Sequence, residues 1–179
     1  MGNSIETEIY TYVDLHGVAR LMLASERRRK YGKYECALAA LMFAAFMLEA
    51  YLNYAGSKIL PEWSDEFERA TKPKDKLKRI AGELGYPLSV RSAKYNTFTT
   101  LFRIRNALAH GKLVRLEASR IPKTMRNQQM VFLETEWEKA TKSGKFRDYF
   151  SDAEQIVIGL HQLLAPGCNP FAISASSTW

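Results

Sequence analysis

The stretch "YECALAALMFAAFMLEAYLNYA", residues 34–55, decides the fold. It is rich in Ala, Leu and Met, which are strong helix formers, and it contains neither Pro nor Gly, so it reads as one long helix stopped by Gly56. Its apolar residues fall on most sides instead of forming a single stripe. A helix of that kind is surrounded by partners, in the middle of a bundle or at a subunit interface. The most apolar part, "CALAALMFAAFML" at residues 36–48, is shorter than the about 20 residues that cross a bilayer, so a buried core helix is expected. Two polar interruptions, Glu49 and Asn53, are spaced i, i+4 on one face near the far end. They either meet solvent where the core tapers or point into a polar pocket.

Outward from this helix the chain keeps helical periodicity. Upstream, "GVARLMLASERRRKYGK" places Val18, Leu21, Met22 and Ser25 at helical spacing and ends in the basic cluster Arg27, Arg28, Arg29 and Lys30 before a Tyr31-Gly32 stop. Cations suit the negative end of a helix dipole, so a solvated helix terminus accounts for the cluster, with RNA contact as the alternative. Asn3 and Glu6 offer a capping box for more helix near the start. Downstream, residues 74–84 form a shorter amphipathic helix with Leu77, Ile80, Ala81 and Leu84 inward and its lysines outward. A further helix of about four turns carries Phe98, Leu101, Phe102, Leu108 and Ala109 and is stopped by Gly111. Residues 113–117 and 130–133 are β-rich. A closing helix is expected from a Ser151/Glu154 capping box, with Ile156, Val157, Leu160, Leu163 and Leu164 as its apolar face. The fold class is therefore mostly α: an antiparallel helical bundle forming one domain over residues 1–165, with a short β excursion between residues 112 and 135 and a flexible tail at residues 166–179.

At 179 residues the chain suits one domain with a real core, and 46% hydrophobic with 25% charged residues is ordinary for a globular protein. The net charge of +7 favours acidic partners such as nucleic acid. Cys36 and Cys168 form no CxxC, so neither a zinc knuckle nor a disulfide framework is indicated. No secretory signal precedes the first helix, and the opening "MGNSIE" fails as a myristoylation signal because Glu6 stands where Ser or Thr is wanted. A cytoplasmic protein without a membrane partner is expected. His16, His110 and His161 are far apart, and GxGxxG, P-loop, GxSxG and HExxH patterns do not occur, so no metal and no cofactor is expected. His161 lies in an apolar helical stretch and reads as a packed histidine. His16, beside Gly17, reads as a surface or capping residue.

The remaining polar concentration is "LFRIRNALAHGK", residues 101–112, with Arg105, Asn106 and His110. Asn106 and His110 are i, i+4 neighbours that can hydrogen-bond, and Arg105, about 100° around the helix, is long enough to curl toward them. His110 is in the last turn, where the dipole favours imidazolium and would raise its pKa. An acid, a cation and an amide suit phosphate chemistry. In RNA a 2′-OH attacks phosphorus when a base takes its proton and an acid protonates the leaving 5′-oxygen, with no metal needed. Arg105 would neutralise charge on the phosphoryl oxygens. One helix supplies one histidine, and a two-fold dimer would supply the second.

These residues carry a family resemblance. "RNALAHG" resembles the Arg-polar-x-x-x-His signature of HEPN-domain proteins at Arg105, Asn106 and His110, and "KYGKYECALAALMFAAFMLEAYLN" resembles that family's turn and apolar helix ending in a Glu-containing stretch. The likeness spans residues 18–112 and extends to the closing helix. It implies a small antiparallel helical bundle, commonly a homodimer, acting as a metal-independent endoribonuclease in toxin, defence or RNA-processing systems, with an antitoxin or regulatory protein as a further partner. The alternative it carries is a non-catalytic dimerisation or nucleotide- or nucleic-acid-binding module. Arg105, Asn106 and His110 would be catalytic, Glu49 and Asn53 would support the pocket, and Arg27, Arg28, Arg29, Lys30, Arg103 and Lys112 would contact RNA. A toxin subgroup has Tyr two residues after the histidine as an acceptor for nucleotidyl modification; here Lys112 occupies that place.

Overall fold

A computed structural model describes residues 9–111, 113–116 and 133–172. Among them are seven helices and no strand: α1 (Thr11–Arg28), α2 (Lys33–Ile59), α3 (Asp65–Ala70), α4 (Pro73–Leu84), α5 (Ala93–Ala109), α6 (Glu136–Lys142) and α7 (Lys145–Leu164). The helical bundle expected from the sequence is what forms. α2 runs through its middle, in contact with α1, α4, α5, α6 and α7. Its length and composition would allow it to cross a membrane, yet here 56% of its most apolar stretch is buried inside the bundle. Ala37, Ala40, Ala44, Ala45 and Ala55 are buried on it, so neighbouring helices approach closely, and the larger Leu41, Met47, Leu48, Tyr51 and Leu52 fill the spaces between them.

α1 and α2 form an antiparallel pair joined by residues 29–32, with Gly32 left-handed at φ 74°. The start of α1 meets the end of α2 through Tyr12, whose ring is edge-on to Tyr51 at 5.2 Å. α7 runs antiparallel to α1: His16 pairs with Glu154 at 2.6 Å and Glu26 pairs with Arg147. The hydroxyl of Thr97 donates to Asp152 at 2.6 Å and fixes α5 against α7.

Several boundaries differ from the expectations, each for a packing reason. α1 starts at Thr11, ahead of Val18, and its inner face is Tyr12, His16 and Ala19; Leu21 is 60% exposed. His16 is accordingly a buried helix residue and not a surface one: it pairs with Glu154 and lies between the rings of Phe150 and Phe171, the latter stacked at 3.7 Å. α2 continues through Gly56, because that glycine is there for space. A Cβ on it would fall 2.1 Å from the ring of Trp63. Ser151 and Glu154 lie inside α7, which begins at Lys145 after the N-cap Gly144 (φ 78°), so they form no cap. The capping box instead opens α6, where Thr135 and Glu138 bond reciprocally. The short α3, capped by Ser64, was not expected. Lys76 departs from the outward lysines of α4, being 3% exposed. Residues 113–116 form no strand; the rest of the expected β excursion, apart from Leu133, and the Asn3/Glu6 box lie outside the described residues.

His161 is packed as expected, at 1% exposure, with Nδ1 placed 3.4 Å from the Tyr51 hydroxyl. Burial lowers its pKa from the ordinary 6.5. The unfolded chain therefore binds the proton at a higher pH than the folded one, and the stability held by neutral His161 is lost as pH falls below that value. Thermal melts between roughly pH 7 and pH 5 should show a shallower decline for His161→Phe than for the wild type; parallel declines would contradict this. Packing makes a second prediction. Gly56→Val should cost about 1–3 kcal/mol in urea unfolding by crowding Trp63, whereas Gly17→Ala, in the middle of α1 with open space around it, should gain about 0.5–1 kcal/mol.

Candidate active site at the end of α5

α5 is capped by Ser92, whose hydroxyl accepts from the Tyr95 amide, and it buries Phe98, Leu101, Phe102 and Ile104 against the bundle. That packing fixes its rotation. Arg105 is thereby turned toward α2, where its Nη2 donates to Glu49 and its Nη1 donates to the Asn106 Oδ1 at 2.8 Å. The Arg105 and Glu49 side chains are 19% and 25% exposed, and the guanidinium lies 5.4 Å from the centre of the Phe46 ring. The Arg105 Nε is buried with no acceptor among the described residues. Two of the five guanidinium N–H groups are thus engaged in defined bonds.

Glu49 and Asn53 are partly buried, and both are held in a polar network. The Lys76 Nζ donates to the Asn53 Oδ1 at 2.8 Å, and the Asn53 Nδ2 donates to Glu68 at 2.9 Å. Lys76 also lies 5.5 Å from the centre of the Trp63 ring. Burial pushes its ammonium below the usual lysine range, with the carboxylates of Glu68 and Glu49 acting in the opposite direction. A cavity of about 410 Å³ opens over Glu49, Asn53, Glu68 and Lys76. Sequence reading did not identify Lys76 or Glu68. The signal available was the i, i+4 spacing of Glu49 and Asn53, which demands partners if that face is covered.

His110 is the C-cap of α5, with its amide donating to the Asn106 carbonyl at 3.3 Å. Gly111 follows in the left-handed region at φ 54°, so the expected glycine stop is present. The imidazole is exposed and forms no bond to a described residue, including Asn106, so the anticipated Asn106–His110 hydrogen bond is not made. Arg105 and Asn106 are joined, and His110 stands one turn further on with its ring free among the described residues. Arg27, Arg28, Arg29 and Lys30 are exposed at the end of α1 without a carboxylate partner among the described residues. Arg103 is engaged instead: its Nε and Nη2 both donate to Glu136 of α6, and that contact raises its pKa. Lys112 lies outside the described residues. No cluster of His, Cys, Asp and Glu suited to a metal ion is found among the described residues.

Comparison with protein-family models, with curated proteins and with solved structures finds no match. The arrangement must be read from its own chemistry. A shielded Glu49–Arg105 pair predicts strong coupling. In a double-mutant cycle of Glu49→Ala and Arg105→Ala, urea unfolding should give an interaction energy of about 1–3 kcal/mol. A value near zero would mean that the pair does not hold α5 to α2.

Proposed function

We propose that the chain is a metal-independent endoribonuclease of HEPN type that acts as a homodimer on single-stranded RNA. The observation that carries this reading is the division of labour at the end of α5. A guanidinium is oriented by Glu49 and Asn106, and an imidazole one turn away is exposed and unpaired among the described residues. Orientation without mobility is what a group stabilising phosphoryl charge requires, and access to solvent is what a proton-transferring group requires.

In the proposed reaction one His110 takes the proton of a ribose 2′-OH. The 2′-oxygen attacks the adjacent phosphorus, forming a 2′,3′-cyclic phosphate as the bond to the 5′-oxygen breaks. The His110 of a second protomer gives its proton to that leaving oxygen. Arg105 offsets the charge that grows on the non-bridging oxygens. The exposed cations at residues 27–30 and the net charge of +7 support RNA as the partner.

The Glu49–Arg105 pair also favours a second reading, a non-catalytic dimerisation or nucleic-acid-binding module in which Arg105 is structural. One assay separates the two. Purified protein with single-stranded RNA in EDTA should give 2′,3′-cyclic phosphate products, and His110→Ala and Arg105→Ala should each lower the rate by about 10²–10⁴-fold with the fold retained by circular dichroism. Absence of products favours the module, and turnover unchanged in both variants removes the assignment of catalysis to His110 and Arg105.

A further inference from the structure

Beside Asn106 a second cavity, about 540 Å³ in volume, lies between α5 and the start of α4. That size is within the range of sites for small organic groups, about 300–1,000 Å³. Its floor is the Phe98 and Phe102 pair, whose rings lie 4.6 Å apart and are themselves largely buried. Thr99 and Ala107 line it with short side chains that leave the space over the rings empty. Lys72 and Lys74 stand at its rim with no carboxylate partner among the described residues. Asn106 forms its border toward Arg105. The amide oxygen of Asn106 is already committed to the guanidinium, so its Nδ2 is the face left for another molecule, a donor of two N–H groups.

We infer that this cavity takes one unpaired base of the RNA, next to the phosphate held at Arg105. The inference deepens the ribonuclease reading and rests on it. An apolar floor over buried rings accepts the flat face of a base by van der Waals contact, and two ammonium groups unpaired among the described residues call for an occupant that brings negative charge with it. An unpaired nucleotide has both properties. A second copy of the chain seated there by an apolar side chain would leave Lys72 and Lys74 without counter-charge. The Asn106 Nδ2 adds selectivity, because it pairs with a ring nitrogen or carbonyl oxygen on the base edge and offers nothing to an amino group.

The test uses His110→Ala protein, so that RNA stays intact, and fluorescence anisotropy with a short single-stranded RNA. The same RNA is also used with one base at a time replaced by an abasic ribose. Thr99→Leu and Ala107→Leu each fill the cavity with a good helix former, and thermal melts check that at least one folds. In the unfilled protein one abasic position should weaken binding. Filling should weaken the intact RNA by roughly tenfold, as for the loss of one bound base, and should abolish the sensitivity to that position. An abasic scan that is flat before filling, affinity unchanged by filling, or filling that shifts only the monomer–dimer balance in sedimentation would overturn the inference. The two readings fail separately. Cleavage that needs His110 and Arg105 but ignores the filled cavity removes the base site alone. Base-dependent binding lost on filling, with products unchanged by His110→Ala, removes the nuclease reading and leaves the base site.

Discussion

The structure depends on one constraint: α2, apolar on nearly every side, carries a carboxylate and an amide into a bundle that partly covers them. Glu49 and Asn53 lose water when the helices pack, and unpaired they would cost several kcal/mol. Each is answered by a different element. Arg105 comes from α5, Lys76 from α4, and Glu68 from α3. Hydrophobic burial would tolerate many rotations and slips of these helices against α2. The polar partners select one arrangement, because a single turn's error strands a charge. That selection also orients Arg105, so in the proposed function structural and catalytic demands would fall on the same guanidinium.

The bundle was legible from residues 34–55 because a helix apolar all round has few other ways to be soluble. The Phe98, Leu101 and Phe102 stripe and the Gly111 stop were legible for local reasons, as was the packed His161; of the expected grouping of Arg105, Asn106 and His110, the first two are bonded and His110 is not joined to them. What stayed hidden was tertiary. His16 stands beside a glycine on a polar-looking stretch, and only the arrival of Glu154, Phe150 and Phe171 makes it an interior residue. Gly56 looked like a terminator because glycine ends helices more often than it seats a tryptophan. Ser151 with Glu154 and Thr135 with Glu138 are the same capping pattern. The second forms the box, while the first pair is consumed inside a helix that has already begun.

Lys76 shows where pattern reading stops. Among the lysines of α4 nothing in spacing or composition sets it apart, yet it alone of them is buried, held by Asn53 and the Trp63 ring. Its burial follows from Asn53 being polar, not from anything in its own neighbourhood of the chain. The same reasoning applies to the ion pair of Arg103 with Glu136 of α6, a partner 33 positions away in the chain.

The link between Glu49 and Arg105 bridges 56 positions of the chain. A nascent or truncated polypeptide that ends before α5 holds the acidic half of this pair with nothing to meet it, and closing so long a loop carries an entropic cost that only later packing repays. The order of synthesis therefore leaves the junction of α2 and α5 open until α5 has been made.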